Sequence, residues 1–167
     1  MRELFILRHA KSSWDDPTLS DFDRPLNRRG KEDSPLMGEY LSKIGIKPDL
    51  IVSSPAKRAK KTAKIVAEKL GLKSKEIEFY ETIYEASVQS LLYLVCQFPD
   101  SVKRVMLVGH NPGLTQLANT LGDIVIENIP TAGVVGIVFQ LSKWEDVCKA
   151  KGHTIFFDYP KKIKGKE

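Results

Sequence analysis

Two of the chain's three histidines follow short apolar runs. Leu4-Phe5-Ile6-Leu7 leads directly into Arg8-His9, and Val105-Met106-Leu107-Val108 leads through Gly109 into His110. Imidazole acts as a nucleophile or as an acid/base near neutral pH. Arginine carries a permanent charge on a forked set of donors that matches phosphate oxygens. Arg58 adds a second guanidinium, in the first turn of a helix announced by Ser54-Pro55, where free N–H groups favour an anion. Together these residues point to a site for an anion and to covalent chemistry on it. A carboxylic acid in such a crevice would protonate a leaving group. Glu85 and Glu81 are both candidates, and spacing alone does not separate them from helix-capping roles. Lys11, Arg24 and Arg28 are candidates for a cationic rim, and Trp14 for a partner-facing ring or a loop anchor. His153, on a lysine-rich approach to a late strand, reads as solvated or structural.

The elements that must position these groups alternate. Strands are expected at 3–8, 49–53, 77–80, 104–109, 133–141 and 154–159, the late ones with the β-branched and aromatic bias of sheet. Helices are expected from Arg28 to Ile44, with Asn27 as cap and Gly45 as stop, and from Ser54-Pro55 to Gly71. Two more run from Ser87 to Phe98 and from Gly113 to Leu121. Pro35 and Gly38 inside the first helix predict a kink or a late start. Residues 11–29 read as polar and irregular. This order specifies a three-layer α/β/α sandwich with a mainly parallel central sheet. Ligands of such sheets bind beyond the carboxyl ends of the strands, where His9 and His110 fall.

The chain has 167 residues, 42% hydrophobic and 28% charged, which suits one domain with a real core. We expect that domain over 1–160, followed by a basic tail at 161–167. No apolar run approaches the roughly 20 residues of a membrane span, and the N-terminus has no signal-peptide pattern. Cys96 and Cys148 do not make a disulfide framework, and a reduced, cytoplasmic setting is expected. No Cys or carboxylate cluster suggests a metal. The net charge of +5 is concentrated in Lys57–Lys64 and in the tail. It reads as a solvated helix face plus a frayed end rather than a nucleic-acid surface, because no aromatics interleave. Such a field attracts a phosphorylated substrate.

These motifs resemble the histidine phosphatase superfamily, also called phosphoglycerate mutase-like. Phe5-Ile6-Leu7-Arg8-His9-Ala10 is similar to its Arg-His-Gly signature, with Ala10 in place of the usual glycine. Ser53-Ser54-Pro55-Ala56-Lys57-Arg58-Ala59-Lys60-Lys61-Thr62 resembles its Ser-x-x-x-Arg-Ala-x-x-Thr signature, and Val108-Gly109-His110-Asn111-Pro112 its second-histidine motif. Arg8-His9-Ala10-Lys11-Ser12-Ser13-Trp14, Asp23-Arg24-Pro25-Leu26-Asn27-Arg28-Arg29-Gly30 and the short length are similar to the SixA-type phosphohistidine phosphatases. The resemblance implies a phosphoglycerate mutase-like fold and a phosphatase with no metal or other cofactor. His9 would be the nucleophile, and Arg8, Arg58 and His110 would bind the phosphoryl oxygens. Glu85 is the possible acid/base, and Lys11 and Arg24 are further substrate-binding residues. The implied substrate is a phosphorylated histidine phosphotransfer protein, with a small phosphate ester as the alternative and a phosphoprotein-binding module as the non-enzymatic one. Neither nucleic acid nor membrane is expected as a partner, and a monomer is.

Overall fold

A computed structural model describes residues 1–165 of the chain. Lys166 and Glu167, the end of the expected tail, lie outside the described residues. Six strands form one sheet: β1 (Arg2–Arg8), β2 (Leu50–Ser53), β3 (Glu78–Phe79), β4 (Arg104–Gly109), β5 (Val134–Phe139) and β6 (His153–Asp158), in the order β3-β2-β4-β1-β5-β6. The pairings among β1 to β4 are parallel, and β5 runs antiparallel to both β1 and β6. The sheet is therefore mainly parallel, with helices on both faces.

The central strands are apolar throughout because both faces are covered. Alternate side chains feed two cores. Leu4, Ile6, Val52, Val105 and Leu107 pack with α3 (Val88–Cys96), α4 (Gly113–Leu121) and Trp144. Phe5, Leu7, Ile51, Met106 and Val108 pack on the opposite face with α1 (Arg28–Lys43) and α2 (Lys57–Lys69). Ala59, Ala63, Val66 and Ala67 recur at helical spacing and are fully buried, so α2 lies flat against the sheet.

Four expectations are corrected. Helix α1 runs unbroken across Pro35 from its Asn27 cap, which accepts a hydrogen bond from the Gly30 amide at 2.8 Å. One missing N–H inside a helix of 16 residues is tolerated there. Helix α2 starts at Lys57 rather than at Ser54-Pro55, because the Ser54 hydroxyl is engaged elsewhere. The lysine run expected to fray begins as a short helix, α5 (Pro160–Lys164), with Ile163 buried and Lys164 paired to Asp33. Cys96, at the end of α3, is joined to Cys148 by a disulfide with Cα atoms 6.5 Å apart, so the expectation of two separate thiols does not hold. Among the described residues no helix is long and apolar enough to cross a membrane.

Candidate active site

Parallel pairing of β1 with β4 sets Arg8 opposite Gly109, so the chain leaves both strands side by side into His9 and His110. The two imidazole rings lie 5.1 Å apart, centroid to centroid. Strand β2 ends at the same level, and the Ser54 amide donates to the Val108 carbonyl at 2.9 Å. Three carboxyl strand ends thus build the floor of a cleft of about 260 Å³. Arg8, His9, Lys11, Ser12, Trp14, Arg24, Arg58, His110, Asn111 and Thr131 line it.

His9 is buried, and its Nδ1 lies 2.7 Å from the Ala10 carbonyl. A carbonyl only accepts, so Nδ1 carries the proton and Nε2 presents its lone pair. Burial, reinforced by His110 and the two arginines, pulls the His9 pKa down to about 3. The ring is neutral at any physiological pH, as a nucleophile must be. Its backbone is held from α2: the Ala10 amide donates to Thr62 Oγ1 at 3.0 Å, and that hydroxyl donates to the Arg58 carbonyl at 2.8 Å. Ala10 is fully buried here, so its methyl is accommodated where glycine is usual.

His110 Nε2 lies 2.7 Å from Ser54 Oγ, which accepts from the Ala56 amide at 3.2 Å. The His110 Nδ1 on the other side of the ring is buried without a partner. Burial, and then Arg58, pulls the His110 pKa down to about 4. Arg8 donates from Nη1 to the Ile129 carbonyl at 3.0 Å, while its Nε is buried and unpartnered. Buried polar groups are satisfied as a rule. Two residues that line one cleft, Arg8 and His110, thus each keep a buried ring or guanidinium nitrogen without a partner.

Arg58 is buried, and the spatial partner that orients it is Asp21. Its Nη1 donates to the Asp21 carbonyl at 2.6 Å, and its Nη2 to Asp21 Oδ2 at 3.0 Å. The same carboxylate accepts from Arg24 Nη1 at 2.9 Å and from the Tyr84 hydroxyl at 2.6 Å. Tyr84, ahead of the two arginines, holds Asp21 down at about 2, so this acid is ionised in the resting site. The Tyr84 ring stands edge-on to both Phe22 and His110. Lys11 is exposed at the rim. Arg24 is buried, with its guanidinium carbon 3.3 Å from the Trp14 ring centroid. A short antiparallel pairing of Ser12 with Leu26 sets this rim in place.

Other candidates lie outside the cleft. Glu85 is exposed, sits in the left-handed region at φ 54°, and is absent from the lining, as is Glu81. Arg28 is exposed and pairs with Glu32, and His153 pairs with Asp123 on the surface. Sequence reasoning missed Asp21, Ser54 and Tyr84. The i, i+3 spacing of Asp21 and Arg24 was the available signal for the first. Ser54 was taken for a helix cap, and Tyr84 carries no pattern at all.

Comparison with known proteins places the arrangement in context. The model of the histidine phosphatase superfamily (branch 1) matches residues 4–91. An uncharacterized chloroplastic protein of Arabidopsis thaliana is 31% identical over 160 residues, covering 90% of this chain and 72% of that protein. The candidate phosphohistidine phosphatase SixA of Agrobacterium tumefaciens superposes with a TM-score of 0.79 at 28% identity, over 95% of this chain and 98% of its own. The fold is shared with a protein histidine phosphatase SixA complexed with tungstate, at a TM-score of 0.81 and 22% identity over 99% of each chain.

Proposed function

Because the chain belongs to the histidine phosphatase superfamily and is a phosphatase on that ground, we propose that His9 takes the phosphoryl group covalently, from phosphohistidine in a phosphotransfer protein. The observation that carries the choice of substrate is the chemistry of the cleft lining. It offers an oriented neutral imidazole and three guanidiniums, but no carboxyl group. Asp21, the nearest acid, is already ionised and braced by Arg24, Arg58 and Tyr84. An alkyl phosphate expels an alkoxide and gains about 10²–10⁴-fold from a general acid. A phosphohistidine whose other ring nitrogen is protonated expels a neutral imidazole, a group with a reference pKa of about 6.5, and needs none.

In this reading His9 Nε2 forms the new P–N bond as the bond to the substrate's imidazole breaks. Arg8, Arg58 and His110 hold the equatorial oxygens, where charge sits in the transition state. His9 keeps its Nδ1–H on the Ala10 carbonyl throughout. The ring is therefore a good leaving group in turn when water attacks phosphorus and releases phosphate. Guanidiniums neutralise the phosphoryl charge in this scheme, with no metal in the step.

The test is phosphate release from a phosphorylated histidine phosphotransfer domain, beside a panel of sugar and nucleotide phosphates. Wild type is expected to release phosphate from the domain and to trap radiolabelled phosphate in acid-labile form. His9→Ala should lose both by about 10³-fold or more. Efficient turnover of a small ester with none of phosphohistidine would overturn the substrate assignment, and label trapped on His9→Ala would overturn the nucleophile.

A further inference from the structure

Five lysines, Lys31, Lys57, Lys60, Lys61 and Lys64, line an open groove of about 420 Å³ together with Pro25 and Leu26. The groove adjoins the reaction cleft at two points. Pro25 follows Arg24 and Lys57 precedes Arg58, and both arginines line the cleft. On α2, positions 57, 60, 61 and 64 fall at helical spacing on one stripe, about 10 Å long at about 1.5 Å per residue. Glu68 lies beyond its far end, in the next depression along the helix.

The stripe has no internal counter-charge. Among the described residues none of the five lysines forms an ion pair, whereas Lys69, Lys162 and Lys164 pair with Glu39, Asp158 and Asp33. No carboxylate lines the groove. Helix α2 also runs against the usual rule, since a first turn favours acids and this one begins Lys57-Arg58 with none. Like charges at i, i+3 and i, i+4 repel. Lys60 alone has a partner in the fold, its ammonium 5.3 Å from the centre of the Phe79 ring; a local rule broken on an open surface beside a reaction site, with no counter-charge paired to it, marks a place where a ligand supplies the missing charge.

We propose that this groove docks an acidic segment of the phosphorylated protein substrate. Its Asp and Glu side chains sit against the five lysines while the phosphoryl group enters the cleft. The proposal rests on the phosphoprotein reading above. The stripe matches about three residues of extended chain or two turns of helix, so recognition is confined to residues near the phosphorylated one. Nucleic acid shares the charge, but no aromatic side chain lines the groove to stack a base.

Two labelled phosphohistidine peptides test this, one flanked by Asp and Glu and one by Asn and Gln, with a matching phosphoserine pair. Each is measured for kcat/KM and for affinity by fluorescence anisotropy. The proteins are wild type and Lys60→Glu/Lys61→Glu/Lys64→Glu, with circular dichroism confirming the fold. Wild type should favour the acidic peptides by about tenfold, carried in KM. The triple variant should lose the preference, as should wild type at about 0.5 M salt, where screening shortens to about 4 Å. Hydrolysis of p-nitrophenyl phosphate should stay within about twofold. Equal affinities for acidic and neutral peptides would overturn the docking site, as would a preference that survives the triple substitution. An oligonucleotide that displaces the acidic peptide at a lower concentration than the same peptide unlabelled would also overturn it, in favour of nucleic acid. An acidic preference in the phosphoserine pair without phosphohistidine turnover would support the groove and overturn only the substrate assignment.

Discussion

His9 and His110 are held neutral by burial, and that has a thermodynamic consequence. Their pKa values fall from the ordinary 6.5 to about 3 and about 4. Between those values and 6.5 the unfolded chain binds protons on both histidines that the folded chain does not. Stability contributed above pH 6.5 is therefore lost as pH falls toward 4, by on the order of a few kcal/mol for the pair. We predict that the melting temperature of wild type drops more steeply across this window than that of His9→Gln/His110→Gln. Parallel curves would show that the two rings are not held neutral. The same burial that keeps the two imidazoles neutral makes the folded site acid-sensitive.

At the scale of elements, the rim depends on contact between the strand-one loop and the start of α1. Gly30 is buried in the first turn of α1, and a Cβ there would lie 2.1 Å from the Lys11 carbonyl oxygen. That oxygen already accepts from the Asn27 amide at 3.0 Å. Gly30→Ala should push loop and helix apart, costing about 1–3 kcal/mol in denaturant unfolding and raising KM as the Lys11–Trp14 rim shifts; a loss of stability with KM unchanged would place the rim outside substrate binding. Much of the frame was legible in sequence. The α4 and β4 boundaries, the Asn27 cap and the strand ends carrying His9 and His110 follow from periodicity and capping chemistry. Residues 11–26 are not legible, because their order comes from the Ser12–Leu26 bridge and from Arg24 stacked on Trp14, contacts that fold one irregular segment back on itself with no periodic pattern to announce them. The α2 start lies three residues later than expected because Ser54 has the composition of a cap but sits beside His110 and accepts only from the Ala56 amide, ahead of the helix. Glu85 was attractive by type, yet nothing in composition tells an exposed acid from one aimed into a cleft.

For the molecule as a whole, the Cys96–Cys148 bond ties α3 to the 3₁₀ segment Trp144–Lys149, on the sheet face that carries Trp144 rather than α2. Neither cysteine lines the cleft. Closing a loop of 52 residues is worth about 4 kcal/mol in the chain-entropy picture. Cys148→Ser, or reduction, should lower the melting temperature by about 5–15 °C while kcat/KM on a small substrate stays within about twofold. An unchanged melting temperature on reduction would show that the link adds nothing to the fold. The design separates duties: the staple and the larger core secure one face, and the cleft-lining and cationic groups occupy strand ends and the start of α2.

Asp21, outside the cleft lining, already gives two of its arginines a counter-ion. Arg58 donates from Nη2 and Arg24 from Nη1 to its carboxylate, while Arg58 Nη1 holds the Asp21 backbone carbonyl. An arriving phosphate meets arginines whose charge is already partly answered, and the departing one leaves them with a counter-ion at hand. The discount falls equally on substrate and on free phosphate, so it raises KM without lowering kcat. Asp21 therefore loosens the grip on substrate and on product alike and leaves the ratio of the two affinities where the rest of the cleft sets it.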